Sequence, residues 1–248
     1  MIFIITCSIY GLSNSDFLAP DSRGISWGWS DVKKIRNDYQ LWRFITPTLL
    51  HGHLEHITGN FVGQLFMGTG IEDGIGVVRM IILYFLGGLG GILFSMDVRP
   101  YTHGVGASTA IFGLVGFYIA YIFSNFFYMG RKRSGQRIFL IFYCSFMILL
   151  NLNLGPHSDS HVDNWGHLGG LITGILVGFS LTEFYDLEAR NKERPPDRFT
   201  REEYEKKSAC CAFFRYFCTV LTVLWFVALF VVFYLIDVDS LPDDDDDN

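Results

Sequence analysis

Residues 104–113 read Gly104-Val105-Gly106-Ala107-Ser108-Thr109-Ala110-Ile111-Phe112-Gly113, and they begin a long apolar run. A serine stands at the start of that run, directly after two closely spaced glycines. A second stretch, Trp165-Gly166-His167-Leu168-Gly169-Gly170, places a histidine at the start of another apolar run. A helix that spans a bilayer needs about 20 mostly apolar residues. The two stretches therefore predict a hydroxyl and an imidazole that each open a helix of membrane length.

Composition indicates an all-α polytopic membrane protein. Of the 248 residues, 50% are hydrophobic and 17% are aromatic, while only 18% are charged, below the usual share of about a quarter. Five cysteines show no CxxC spacing, so we predict neither a disulfide framework nor a metal site, and we expect no cofactor. No basic surface suited to nucleic acid is apparent. The net charge of −6 owes much to five consecutive aspartates, Asp243 to Asp247.

The hydropathy pattern divides the chain into a membrane core, a linker, one further helix and a tail. We predict spans over residues 54–71, 76–96, 108–128, 138–152, 166–184 and 212–236. Residues 1–184 form the core. Residues 1–12 are apolar but too short to cross a bilayer, so either upstream residues are missing or this is the end of a first span. Residues 185–211 are a charged cytosolic linker, and residues 237–248 are an acidic tail.

Charge bias predicts which loops share a side of the membrane. Cytosolic loops carry an excess of lysine and arginine, which places loops 131–137 and 190–207 in the cytosol, an even number of spans apart. Loops 13–53, 97–107 and 153–165 then lie on the lumenal or extracellular side. Ser108 and His167 therefore open their helices at the same face.

A serine hydroxyl is a poor nucleophile unless an adjacent base takes its proton. Ser108 lies near a helix N-terminus, whose first N–H groups lack partners within the helix and favour a developing negative charge. His56 and Asn60 share one helix face at the same end and supply two more donors. No acidic residue is predicted beside His167. The set predicts a serine–histidine dyad for acyl transfer.

In this arrangement residues 38–182 resemble the rhomboid family of intramembrane serine proteases. The resemblance rests on Trp42-Arg43 in the first loop, on His51, His56 and Asn60 spaced as His-x4-His-x3-Asn, on Glu72, on Gly106-Ala107-Ser108, and on Gly166-His167 with Gly170. It implies a six-helix core, with residues 212–236 resembling the additional C-terminal span of secretory-pathway members.

The resemblance implies a role for each matching residue. Ser108 is the nucleophile and His167 the base, and the oxyanion is stabilised by His56, Asn60 and the N–H of Ser108. Active-site support is expected from Gly106, Phe112, Gly170 and His51, and a structural pair in the first loop from Trp42 and Arg43. The implied partners are the bilayer and single-span membrane proteins, which are cut near the lumenal or extracellular face, with no metal or cofactor. The implied location is the secretory pathway or plasma membrane rather than the mitochondrion.

Two departures from the family pattern bear on activity. Thr109 stands where the family usually has a very small residue, so we expect a narrower site. Phe112 stands where the family often has tyrosine, so an aromatic face against His167 is kept and a hydroxyl is lost. Two alternatives remain open at this point: a pseudoprotease that binds membrane clients, and a small transporter or channel, although no internal repeat is apparent.

Overall fold

A computed structural model describes residues 2–13, 19–152, 162–182 and 201–241. Within these ranges the regular structure is helical. In chain order the α-helices are α1 (Ile2–Tyr10), α2 (Ser22–Ser26), α3 (Val32–Asn37), α4 (Leu54–Ile75), α5 (Val77–Val98), α6 (Ser108–Lys132), α7 (Ser134–Leu152), α8 (Asn164–Leu181) and α9 (Arg201–Leu235). Short 3-10 helices occupy Leu41–Phe44, Thr46–Leu49 and Val238–Ser240. The prediction of an all-α membrane fold is confirmed.

Three helical segments are long and apolar enough to cross a membrane, among the residues described: Val77–Val98, Ser108–Phe127 and Cys211–Leu235. Ser134–Leu149 is a shorter apolar helix. The predicted span over residues 54–71 is helical within α4, and the described part of the span over residues 166–184 is helical to Leu181 in α8. These helices carry the buried polar side chains of Asn60 and His167. Polar groups at membrane depth face other helices rather than lipid.

Two helix ends differ from the sequence-based bounds. The span predicted over residues 54–71 is longer in the structure, because α4 continues to Ile75 and ends at Gly76. The φ of Gly76 is +83°, which favours glycine. Helix α9 begins at Arg201, so the last part of the predicted linker is helical. The rest of that linker, residues 185–200, lies outside the described residues, as do residues 183–184 of the predicted core, residues 242–248 of the tail, and His157 and His161.

Helices α6 and α8 pack backbone against backbone along one glycine ladder. A Cβ atom at Gly170 would overlap the carbonyl oxygen of Thr109, and one at Gly174 would overlap that of Gly113. At Gly178 a Cβ would stand 3.0 Å from the Cα of Phe117. Small residues at every fourth position of α8 allow this close approach of the two helices.

Helix α5 completes a three-helix centre with α6 and α8. A Cβ at Gly87 would lie 3.0 Å from the Cα of Gly113, so α5 and α6 also touch through their backbones. A Cβ at Gly169 would lie 2.9 Å from the carbonyl oxygen of Gly90, which brings α8 equally close to α5. The N-terminal ends of α6 and α8 are thereby held side by side, at the end of α5 from which the chain leaves toward Ser108.

The C-terminal helix α9 packs on α5 and α8 and ends against the first loop. Trp225 donates its indole N–H to the hydroxyl of Thr173 on α8, at 2.9 Å. Near the end of α9, Arg36 from α3 donates to the carbonyl oxygens of Phe233 and Ile236, at 3.0 and 3.1 Å. The end of α9 and the first loop therefore share one face of the molecule, in agreement with the parity predicted from the charged loops.

Candidate active site

Ser108 is the first residue of α6, and the turn before it requires glycine. Gly106 has a φ of +130°, and a Cβ there would lie 2.6 Å from Nε2 of His56. Its N–H donates to the carbonyl oxygen of Pro47 at 2.8 Å. The first α-helical hydrogen bond runs from the N–H of Ile111 to the oxygen of Ala107, so the N–H groups at the very start of α6 are the donors that a helix leaves without internal partners.

His56 and Asn60 lie on α4 and face this turn. The ring of His56 fills the space that a side chain at position 106 would need. Asn60 is buried, and its side-chain nitrogen has no hydrogen-bond partner among the described residues. That nitrogen stands 3.5 Å from the Cβ position at Gly106. Buried polar groups are normally paired, so an unpaired amide donor beside a serine-bearing turn is available to a substrate oxygen.

His51 supports the same turn from the loop before α4. Its Nε2 accepts the N–H of Ala107 at 3.5 Å, and its ring lies 5.3 Å from that of His56, edge to face. Burial, and secondarily the neighbouring His56, lowers the pKa of His51 to about 4. The ring is therefore neutral near pH 7 and keeps an acceptor nitrogen for Ala107.

His167 lies in the first turn of α8, against the first turns of α6. Its ring stacks on Phe112, with centroids 4.4 Å apart and planes 11° from parallel. The expected aromatic face against His167 is present. Phe112 is one turn beyond Ser108. Gly170 is three residues beyond His167 and contacts the backbone of Thr109. The structure thus places Ser108 and His167 at the same ends of two adjacent helices.

Thr109 does not narrow the site as the sequence suggested. Its side chain is buried and turned toward α5 and α8, where its Cβ lies 2.7 Å from the Cβ position of Gly91 and its Cγ2 lies 2.9 Å from that of Gly166. Successive residues of a helix are rotated by about 100°. The residue after Ser108 therefore points into the helix interface, where glycines on both neighbours make room for it.

The Trp42–Arg43 pair organises the first loop. Arg43 is buried and makes three hydrogen bonds, to the carbonyl oxygens of Ser26 and Trp29, both at 2.9 Å, and to the side-chain oxygen of Gln40 at 2.8 Å. Trp42 donates its indole N–H to the oxygen of Trp27 at 3.2 Å. These contacts hold the loop whose end, Pro47, binds the turn before Ser108.

A second anchor of that turn was not predicted from the sequence. His103 is exposed and stacks on Trp29 with ring centroids 4.5 Å apart. Ser30 accepts the N–H of Gly104 on its hydroxyl at 2.8 Å and donates its own N–H to the oxygen of Gly104 at 3.1 Å. No local signal joins residues so far apart in sequence.

Asp163 also supports the site and was not predicted from the sequence. It precedes α8 and accepts the N–H of Gly166 on its carboxylate at 2.8 Å. An aspartate directly before an apolar run is a common N-cap, so this signal was available.

Comparison with known proteins agrees with this arrangement. The family description "Rhomboid domain" matches residues 38–184. The chain is 32% identical over 180 residues to RHOMBOID-like protein 4 of Arabidopsis thaliana, which covers 72% of this chain and 44% of that protein. It is 32% identical over 175 residues to RHOMBOID-like protein 6, mitochondrial, of the same plant, covering 70% and 55%. It is 30% identical over 189 residues to Rhomboid-like protease 3 of Toxoplasma gondii, covering 75% and 68%.

The chain spans less than half the length of the first of these relatives. The matched region nevertheless includes every helix that carries a candidate site residue, from α4 to α8. Helical architecture, buried polar groups between apolar helices and the extent of the match all lead to one assignment. This chain belongs to the rhomboid family, whose members are generally serine intramembrane proteases.

Proposed function

We propose that this protein is an intramembrane serine endopeptidase that cleaves single-span membrane proteins near the lumenal or extracellular face. Ser108 is the nucleophile and His167 the general base. The observation that carries the proposal is the shared position of these residues: each opens a helix, the two helices touch through their backbones, and Phe112 of one stacks on His167 of the other. The location that we propose is the secretory pathway or the plasma membrane.

In the proposed reaction, the hydroxyl oxygen of Ser108 bonds to the scissile carbonyl carbon while His167 takes the hydroxyl proton. The carbonyl oxygen becomes an oxyanion, stabilised by the N–H of Ser108 and by the side chains of His56 and Asn60. His167 then gives the proton to the departing amine, and the C–N bond breaks to leave an acyl ester on Ser108. Water then attacks the ester while His167 takes its proton; the bond between the acyl carbon and the Ser108 oxygen breaks, and His167 returns the proton to that oxygen, which frees the acid product and restores both residues.

The substrate must expose a peptide bond before it can react. A helix keeps its carbonyl oxygens in hydrogen bonds to N–H groups four residues on, which hides them from a nucleophile. Residues of low helix propensity near the cut make local unwinding less costly, since glycine and proline disfavour the helix interior. We therefore expect efficient substrates to contain such residues close to the lumenal end of their span.

Substitution of Ser108 tests the proposal. Ser108→Ala should abolish cleavage of a panel of tagged single-span proteins and labelling by a fluorophosphonate probe, which forms a bond to an activated serine. Ser180→Ala is a matched control, because the Ser180 hydroxyl donates to the carbonyl oxygen of Leu176 in its own helix, at 3.1 Å. Cleavage that persists in Ser108→Ala would refute the assignment.

The alternative function, a scaffold that binds membrane clients without cutting them, rested on Thr109. Its side chain is buried against Gly91 and Gly166 of the neighbouring helices, so this feature no longer favours a scaffold. A scaffold would bind the tagged proteins and leave Ser108 unlabelled by the probe. Wild-type labelling at Ser108 separates the two functions in one measurement.

A further inference from the structure

The carboxylate of Asp163 joins two helices at the level of the candidate base. Its Oδ1 accepts the N–H of Gly166 in the first turn of α8, at 2.8 Å. The same oxygen accepts the hydroxyl of Ser95 on α5, at 2.7 Å. The backbone oxygen of Asp163 accepts the N–H of His167 at 3.0 Å. One residue therefore caps the turn that carries His167 and ties that turn to a different helix.

The bond from Ser95 is unusual for a serine inside an apolar helix. Such a hydroxyl commonly bonds back to a carbonyl of its own helix, as Ser180 does in α8. Ser95 is buried and instead donates across to Asp163. An O–H donor to an ionised carboxylate makes a short and comparatively strong bond, and a negative charge at a helix N-terminus is further stabilised by the helix dipole.

Glycines around the carboxylate leave the space that it and the neighbouring helices occupy. A Cβ atom at Gly166 would overlap the Asp163 carboxylate and would come within 2.9 Å of Cγ2 of Thr109. A Cβ at Gly91 would meet the carbonyl oxygen of Gly166 at 2.5 Å. Near the start of α8, the helices α5, α6 and α8 are thus in direct contact. There the Asp163–Ser95 hydrogen bond links α5 to the residue that precedes α8.

We propose that Asp163 is a positioning residue that, with Ser95, fixes the first turn of α8 against α5 and so sets where the His167 ring stands relative to Ser108. This inference rests on the proposed function. Stacking on Phe112 fixes one face of the ring but permits movement along the plane of contact. The cap and its tie to α5 restrict that movement. Reacting groups must be held closely, since a misplacement of about 1 Å can cost about a hundredfold in rate.

Four variants separate the tie from the cap. Asp163→Asn keeps a side-chain oxygen for both donors. Asp163→Ser keeps an N-cap oxygen but is too short to reach Ser95. Ser95→Ala removes the other partner of the same bond. Ser180→Ala is the control, a serine on α8 whose hydroxyl stays within its own helix. Each variant, with the rest of the sequence unchanged, is assayed in proteoliposomes for cleavage of a single-span reporter, for fluorophosphonate labelling, and for thermal unfolding.

We expect Asp163→Ser and Ser95→Ala each to lower kcat by about tenfold with KM nearly unchanged, while Asp163→Asn and Ser180→Ala stay near the wild type. The double variant Asp163→Ser with Ser95→Ala should fall no further than either single one, because both remove one bond. Wild-type kcat in both single variants would overturn the inference, as would effects that multiply in the double variant or an Asp163→Asn protein as slow as Asp163→Ser.

The controls distinguish failure of this inference from failure of the proposed function. If the wild-type protein neither cleaves the reporter nor labels at Ser108, the proposed function fails. If it does both and the Ser95→Ala protein matches it, only the positioning role fails. A role in stability alone would lower the unfolding temperature and the amount of labelled protein without slowing kcat per labelled molecule, and that outcome also overturns the inference.

Discussion

Replacing Gly174 by alanine tests whether the backbone contact between α6 and α8 holds the core together. Gly174 lies two turns below His167 and far from the proposed chemistry. A Cβ added there would overlap the carbonyl oxygen of Gly113 and would lie 2.6 Å and 2.7 Å from the carbonyl carbon and Cα of the same residue. Carbon atoms at ordinary contact are about 3.5 to 4.0 Å apart. The two helices must therefore separate by about 1 Å.

The expected loss of stability follows from two opposing effects. In a helix without close neighbours, alanine is about 1 kcal/mol more favourable than glycine. Overpacking a well-packed core costs about 1 to 3 kcal/mol, and a contact made entirely of backbone belongs at the upper end, because no side chain can rotate away. The difference is about 2 kcal/mol. For a chain of this size that lowers the unfolding midpoint by roughly 4 to 8 °C.

Thermal unfolding in detergent micelles measures this effect through a thiol-reactive dye. Cys144 and Cys218 are buried and react only as the protein unfolds, and Cys7, Cys210 and Cys211 are replaced by serine to remove early signal. Gly63→Ala is the matched control: its Cβ would stand 3.6 Å from Cγ2 of Ile111, an ordinary contact, so its midpoint should stay level or rise. A Gly174→Ala protein as stable as its parent would refute the reasoning.

Three further predictions concern the residues around the site. Acidification from about pH 7.5 to about pH 5 should destabilise the protein by about 2 kcal/mol through His51. A histidine whose pKa is lowered in the folded state contributes stability that is complete above its unfolded pKa and is lost as the pH falls toward its folded pKa. His51→Gln should flatten the dependence of the unfolding temperature on pH, and an equally steep dependence would contradict this. Arg43→Lys should lower stability by roughly 3 kcal/mol, since three hydrogen bonds of a buried guanidinium are lost or bent, and Lys33→Arg is a neutral comparison in chemical denaturation. Phe112→Leu should remove about 1 kcal/mol of stacking against His167 and slow reporter cleavage, whereas Phe112→Tyr keeps the ring and should keep the rate; equal rates for the two variants would exclude a role for stacking.

Local patterns predicted much of the helical core. Hydropathy located α5 and α6 to within a few residues of their observed ends. Such helices are predictable from the sequence because hydropathy depends on residues within a few turns of one another.

Contacts between distant loops were not predictable in the same way. The stacking of His103 on Trp29 and the paired bonds between Ser30 and Gly104 join the first loop to the turn before Ser108. The local sequence of neither segment indicates which distant residues it contacts. The direction of the Thr109 side chain, in contrast, was predictable. Successive residues of a helix are rotated by about 100°, so Thr109 points away from the surface that Ser108 faces.

The glycine ladder decides which helices meet, but it cannot by itself decide their register. Gly170 faces Thr109, and Gly174 faces Gly113, so both sides of the contact repeat every four residues. Sliding α8 by four residues, about 6 Å along its axis, would again set small residues against the α6 backbone. Such a slide would carry His167 away from Phe112. Contacts that occur once must therefore choose the register: the ring stack at 4.4 Å, the bond from Trp225 to Thr173, and the tie between Asp163 and Ser95. Two of these three contacts lie at the start of α8. The register is therefore fixed at the same end of the helix as the proposed Ser108–His167 dyad.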